Sequence, residues 1–73
     1  MEQKVMITTE TITLGQLLKL MNLIETGGAA KWFLQEYNVF VNGEKEDRRG
    51  RKLKDGDWVD IERVGTFIVT QVK

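Results

Sequence analysis

An α+β domain, two helices packed on one small and mostly antiparallel sheet, is the fold this sequence predicts. Three observations carry that expectation. Apolar residues recur at helical spacing through residues 14–37, the period drops to two from Val39 onward, and Asn42-Gly43 marks a hairpin turn just after the switch. A chain of 73 residues holds one domain, expected here to span residues 1–73. A domain near this size buries only about 60% of the surface its unfolded chain exposes, which leaves little room for a deep enclosed cleft.

Residues 4–9 alternate Val5 and Ile7 with polar neighbours or Met6, which predicts a first strand. Thr13 and Gln16 have the spacing of a capping box, and Leu14, Leu17, Leu18 and Met21 then fall on one helical face. Leu20, Leu23 and Ile24 widen that face or cover the end of the helix. Thr26-Gly27-Gly28 interrupts the pattern. Thr26 is expected to cap a second helix, and the glycines to supply φ values that other residues resist. That helix runs from Ala29 to about Tyr37, with Ala30, Phe33, Leu34 and Tyr37 on one face and Lys31 and Gln35 on the other. Asn38 is its expected left-handed terminator. Val39 to Val41 and Glu44 to Glu46 are the arms of the Asn42-Gly43 hairpin. Residues 47–52 are charged and contain glycine, which predicts an exposed loop. Asp55-Gly56 marks a turn, residues 58–63 alternate as a strand, Gly65 turns the chain, and Thr66 to Val72 forms the last strand. The expected order is β-α-α-β-β-β-β, with no internal repeat or linker.

Composition excludes whole classes of chemistry. The chain has no Cys, so it has neither a disulfide framework nor a thiolate metal site. It has no His, the commonest general base and metal ligand, and no Ser. Nucleophilic triads of Ser or Cys with His are therefore impossible. Lys, Tyr37, Thr and the carboxylates are left, none with an obvious partner, and no enzyme, cofactor or metal is expected. Asp55, Asp57, Asp60 and Glu62 match no cation-binding loop and are read as turn-forming or solvated residues. No apolar run approaches membrane-spanning length, the N-terminus Met1-Glu2-Gln3-Lys4 lacks a signal-peptide pattern, and a cytoplasmic location is expected.

The zero net charge conceals an uneven distribution. Residues 1–44 carry three Lys and five Glu, for −2. Residues 45–54 carry six cations against Glu46 and Asp47, for +4, and residues 55–73 return to −2. The unbalanced positive charge lies in Arg48-Arg49-Gly50-Arg51-Lys52-Leu53-Lys54. Guanidinium forks match phosphate oxygens, so this run reads as a phosphate-contacting loop. It reads equally as a solvated loop neutralised by Glu46, Asp47, Asp55 and Asp57. Thr26-Gly27-Gly28, opening a helix, is a second anion-capable feature or a plain turn. Lys31 lies one turn further along. Trp32 reads as a packed flank residue or as a stacking platform for a base, and Trp58 as packing.

Taken in order, Leu17-Leu18-Lys19, Thr26-Gly27-Gly28-Ala29-Ala30-Lys31, Phe33-Leu34, Val39-Phe40-Val41-Asn42-Gly43-Glu44, Arg48-Arg49-Gly50-Arg51-Lys52-Leu53 and Asp55-Gly56-Asp57-Trp58-Val59 resemble the S4-like RNA-binding domain. The resemblance covers roughly residues 11–62 and looks strongest to the small stand-alone bacterial YaaA-type members. It implies the αL motif, two helices followed by a strand and a basic loop, and non-catalytic binding of structured RNA. Ribosomal RNA comes first as the implied partner and transfer RNA second, with a ribosomal particle as the setting and a role in ribosome assembly. The implied RNA-binding residues are Thr26, Gly27, Gly28, Lys31, Arg48, Arg49, Arg51, Lys52 and Lys54. Two positions depart from the family pattern. Gly27 stands where many members carry Arg, and Leu14-Gly15-Gln16 where many carry Arg-Leu-Asp, which shifts the binding toward the basic loop.

The alternative is a protein-docking module on a ribonucleoprotein particle. A sulfur-carrier role would require a terminal Gly-Gly, and the sequence ends Thr70-Gln71-Val72-Lys73. A monomer that does not bind membranes is expected.

Overall fold

The computed structural model describes residues 2–72; Met1 and Lys73, named above in the readings of the two termini, lie outside them. Strand β1 (Glu2–Ile7) buries Val5 and Ile7 between exposed neighbours, the alternation its sequence predicts. The short β2 (Thr11–Thr13) leads directly into α1 (Leu14–Leu20), and α2 covers Ala29–Glu36. Five strands follow: β3 (Val39–Val41), β4 (Glu44–Lys45), β5 (Lys52–Lys54), β6 (Trp58–Ile61) and β7 (Gly65–Gln71). The main sheet has the order β1-β7-β6-β3-β4. Only β1 and β7 pair in parallel, so the sheet is mixed and mostly antiparallel.

The α+β class and the two-helix, small-sheet architecture are as expected. Val5, Val39, Val41, Val59, Ile61, Phe67 and Val69 supply the strand side of one core. Leu14, Leu17 and Leu18 of α1 and Ala30, Phe33 and Leu34 of α2 supply the helical side. Burying each large apolar side chain stabilises the fold by about 1.5–3 kcal/mol.

The capping box of α1 is present. Thr13 Oγ1 accepts from the Gln16 N–H at 3.2 Å, and Gln16 Oε1 accepts from the Thr13 N–H at 2.9 Å. At the other end, Asn22 adopts φ 61°. Its N–H donates to the Lys19 carbonyl, and the Leu23 N–H donates to the Leu18 carbonyl, both at 3.0 Å. This is a Schellman termination, and it turns Ile24 back into the core. Asn42 (φ 52°) and Gly43 (φ 88°) form the two-residue turn of the β3–β4 hairpin.

Several local expectations are corrected. Thr26 does not cap α2 with its side chain; the N-cap is Gly28, which makes no side-chain bond. Gly28 is right-handed, at φ −67° and ψ −28°, so its glycine character is not used for an unusual φ. Asn38 is not left-handed: α2 ends on an extended Tyr37, and the Asn38 amide instead donates to Glu62 at 3.0 Å. Lys52 is not in a loop. It opens β5, which pairs with β2 as a separate ribbon that buries Ile12 opposite Leu53. Three-residue strands offer too little alternation to register as a pattern. Trp32 is 68% exposed and Trp58 is 41% exposed, so neither is a core residue.

Candidate nucleic-acid interface

The N-terminus of α1 leaves amide groups without helical partners. The basic loop satisfies two of them: the Leu14 N–H donates to the Arg51 carbonyl at 2.8 Å and the Gly15 N–H to the Arg49 carbonyl at 2.9 Å. Gly15 lies close under this contact: a Cβ there would stand 3.4 Å from both Cβ and O of Arg49 and 3.6 Å from Ala30 Cβ, which is van der Waals contact.

Glu46 organises the loop from its other side. It is 6% exposed, at the end of the β3–β4 hairpin. Its carboxylate accepts from Arg48 Nε at 2.9 Å, Arg48 Nη2 at 3.3 Å, the Arg48 N–H at 3.1 Å and Arg51 Nη1 at 3.0 Å. The side-chain bond from Arg48 is the main reason its pKa falls from 4.5 to about 2, against the opposing effect of burial. The same bond raises the pKa of Arg48. Internal neutralisation by acids therefore holds in part: Arg48 and Arg51 share one counterion and keep one net positive charge between them. Asp55 and Asp57 are engaged elsewhere, accepting from the backbone N–H groups of Gln71 and Lys54.

Arg49 points the other way. Its Nη1 donates to the Gly27 carbonyl at 3.2 Å, tying the loop to the start of α2. An open groove of about 470 Å³ results, with walls that include Gly15, Lys19, Gly27, Gly28, Arg49 and Gly50. Thr26 is exposed just before it, and its carbonyl accepts from the Ala29 N–H at 3.1 Å. Lys31 is exposed on α2, one turn past the two glycines. Lys52 pairs with Thr13, another residue of the groove wall, so it stands on the same side of the ribbon. Lys54 is exposed further along, opposite Thr11. The groove thus gathers Gly27, Gly28 and Arg49, with Lys52 on the side of the ribbon that Thr13 shares, while Lys31 is not among its walls and Arg48 and Arg51 turn toward Glu46. Lys19 was not anticipated as part of it. The available signal was its spacing of three from Gln16, opposite the Leu14, Leu17 and Leu18 face.

The glycines here are distinctive. Gly43, Gly56 and Gly65 need positive φ, and Gly15 lies close under the loop. The other three of the seven, Gly27, Gly28 and Gly50, show neither feature. A Cβ at Gly27 or Gly50 would meet nothing within 4 Å, and one at Gly28 only Thr26 Oγ1 at 4.0 Å. All three line this groove.

The family model for the S4 domain matches residues 5–70. This chain belongs to the S4 domain family. A similar S4 domain chain is the probable ribosome maturation protein RlbA of Bacillus subtilis (strain 168), 56% identical over 69 residues, which are 94% of this chain and 97% of that one. In this S4 domain, among the described residues, no group of His, Cys, Asp or Glu is arranged to hold a metal ion, and no helix is long and apolar enough to cross a membrane.

Proposed function

We propose that this protein binds structured RNA without catalysing a reaction, as a monomer in the cytoplasm, and takes part in ribosome assembly. The observation that carries the reading is the groove in which three glycines the backbone does not require lie beside Lys19 and Arg49. Bare backbone next to cations suits a sugar-phosphate chain approaching closely. Protein side chains cannot read the deep, narrow major groove of A-form RNA, so recognition rests on shape, phosphates and 2′-hydroxyls. Arg49, Lys19, Lys31 and Lys52 make the phosphate contacts, with Gly27, Gly28 and Gly50 as the floor. Thr26 borders that floor, and Lys54 and the residual charge of Arg48 and Arg51 add to the field. Family membership and the ribosome maturation name of the Bacillus relative favour ribosomal RNA over transfer RNA as the partner.

The test is filter binding to ribosomal RNA across a salt series. Four engaged cations predict a loss of roughly two orders of magnitude in affinity between about 50 and 200 mM salt, by the slope for duplex DNA. Arg49→Glu combined with Lys52→Glu weakens binding and flattens that slope. Charge reversal at Arg48 or Arg51 is uninformative, because it places a second carboxylate against Glu46 and disrupts the loop. Binding that is flat with salt and unchanged in the double variant would overturn the reading and favour docking through protein. Crosslinking in cells, followed by sequencing of the attached RNA, distinguishes ribosomal from transfer RNA.

A further inference from the structure

A second groove, of about 550 Å³, adjoins the basic one. The two share Gln16 and Lys19. Its other walls include Met6 and Leu20, each 55% exposed, and the buried Ile12. Lys19 is the one charged residue among its walls. An apolar recess opening beside a cationic groove matches a ligand with a flat apolar ring at one end and a phosphate at the other. That is a nucleotide unit, and its base must be out of the stack to enter.

Gln16 gives the recess a polar reader of defined sense. Its Oε1 is held by the Thr13 N–H at 2.9 Å within the capping box. This contact fixes which end of the amide faces the backbone, so the NH2 group is the end left over, and it makes no hydrogen bond among the described residues. A donor here pairs with an acceptor on a base edge, a carbonyl oxygen or a ring nitrogen, and every unpaired base offers one, so the contact anchors a base without selecting which.

We infer that the recess between β1 and α1 receives an unpaired base of the bound RNA, its ring against Met6 and Leu20 and an acceptor on its edge taking the hydrogen bond of Gln16 Nε2. The adjoining phosphate lies against Lys19 and Arg49. The inference rests on the RNA-binding reading and specifies which part of the RNA that surface selects.

The experiment titrates the full chain, at about 50 mM salt, into fluorescent RNA hairpins with one common stem. Four hairpins carry a single bulged U, G, C or A, and the fifth has an uninterrupted stem. All four bulged hairpins are expected to bind about three- to tenfold more tightly than the uninterrupted stem, the range of one hydrogen bond. Gln16→Glu keeps an acceptor for the capping box but removes the donor. Its added charge acts on all five hairpins, and the preference for bulged hairpins over the uninterrupted stem falls by about threefold or more. Leu20→Ala, at a half-exposed position whose loss the core tolerates, lowers the affinity of bulged hairpins about threefold and leaves the uninterrupted stem unchanged. Equal affinity for all five RNAs in the native protein overturns the inference while RNA binding stands. Failure to bind any of them overturns the RNA-binding reading itself. Sedimentation of the free protein runs alongside, and a dimer broken by Leu20→Ala would assign the recess to a second copy of the chain and also overturn the inference.

Discussion

Replacing Gly28 by Ala separates what the fold needs from what a ligand needs. Gly28 is right-handed at the start of α2, and a Cβ there approaches nothing nearer than 4.0 Å. At such a position the substitution mainly narrows the unfolded ensemble, which stabilises by about 0.4–1 kcal/mol. For a domain of this size that raises the melting temperature by about 2–8 °C. Gly50→Ala is expected to be neutral or stabilising for the same reason, since its φ is not positive and the space around it is open. Binding moves the opposite way. If RNA backbone packs against this floor, an added methyl forces a separation costing about 1–3 kcal/mol, as overpacking does in a core. The expected loss is about five- to 150-fold in affinity. Thermal melts and RNA titrations on the same samples check both halves. A higher melting temperature with unchanged affinity would show that the glycines do not mark a contact, and a lower melting temperature would refute the conformational argument.

Other expectations follow from the loop and the caps. A carboxyl group at about 2 in place of 4.5 corresponds to at most about 3 kcal/mol at neutral pH; with the Arg48 side chain 74% exposed, screening reduces this to about 1–2 kcal/mol. Because the folded pKa is the lower one, that stabilisation is complete above pH 4.5 and disappears as the pH falls through about 2. Glu46→Gln is therefore expected to unfold at lower denaturant concentration at pH 7 and to show a shallower acid transition, with equal acid slopes as the refuting result. Thr13→Ala breaks the capping box and is expected to destabilise by about 0.5–2 kcal/mol in urea unfolding. Thr26→Ala, by contrast, removes no cap bond and is expected to stay within about 0.5 kcal/mol of the native protein.

The parts of the fold legible in the sequence were those set by local periodicity and turn chemistry. Leu14, Leu17 and Leu18 announce α1 by spacing alone, and Asn42-Gly43 announces its hairpin because few other residue pairs adopt two successive positive φ values. The ribbon of β2 and β5 was not legible, since three-residue strands declare themselves only through pairing across about forty positions of sequence. Asn38 reads in the sequence as a left-handed terminator, but it is held by Glu62 across the fold, and the left-handed helix end is at Asn22, which the sequence reading did not single out. At the site, the sequence exposed the concentration of cations but not their division. Arg48 and Arg51 turn to a buried Glu46 while Arg49, between them, reaches Gly27; that partition depends on tertiary placement of the hairpin end. The place of Lys19 and Gln16 in the groove wall was hidden for the same reason, since only the packed structure brings α1 beside the glycine turn and the loop.

This division explains how a chain with no net charge keeps a cationic loop in a defined shape. Three arginines within four residues repel, and a loop bearing them alone would spread into solvent. Glu46 supplies one counterion, placed where it engages the first and third arginines from one side. The N-terminal amides of α1 hold the carbonyls of Arg49 and Arg51 from another. With both ends of the turn held, Arg49 has one direction left, over Gly15 and toward the start of α2. Its partner there is a carbonyl oxygen, not a carboxylate, so its charge is oriented without being cancelled. In the proposed RNA complex, a phosphate in the groove would meet a guanidinium already in position, which reduces the ordering needed on binding. An excess of acidic residues outside residues 45–54 brings the chain to neutrality, so the overall balance conceals a cationic segment.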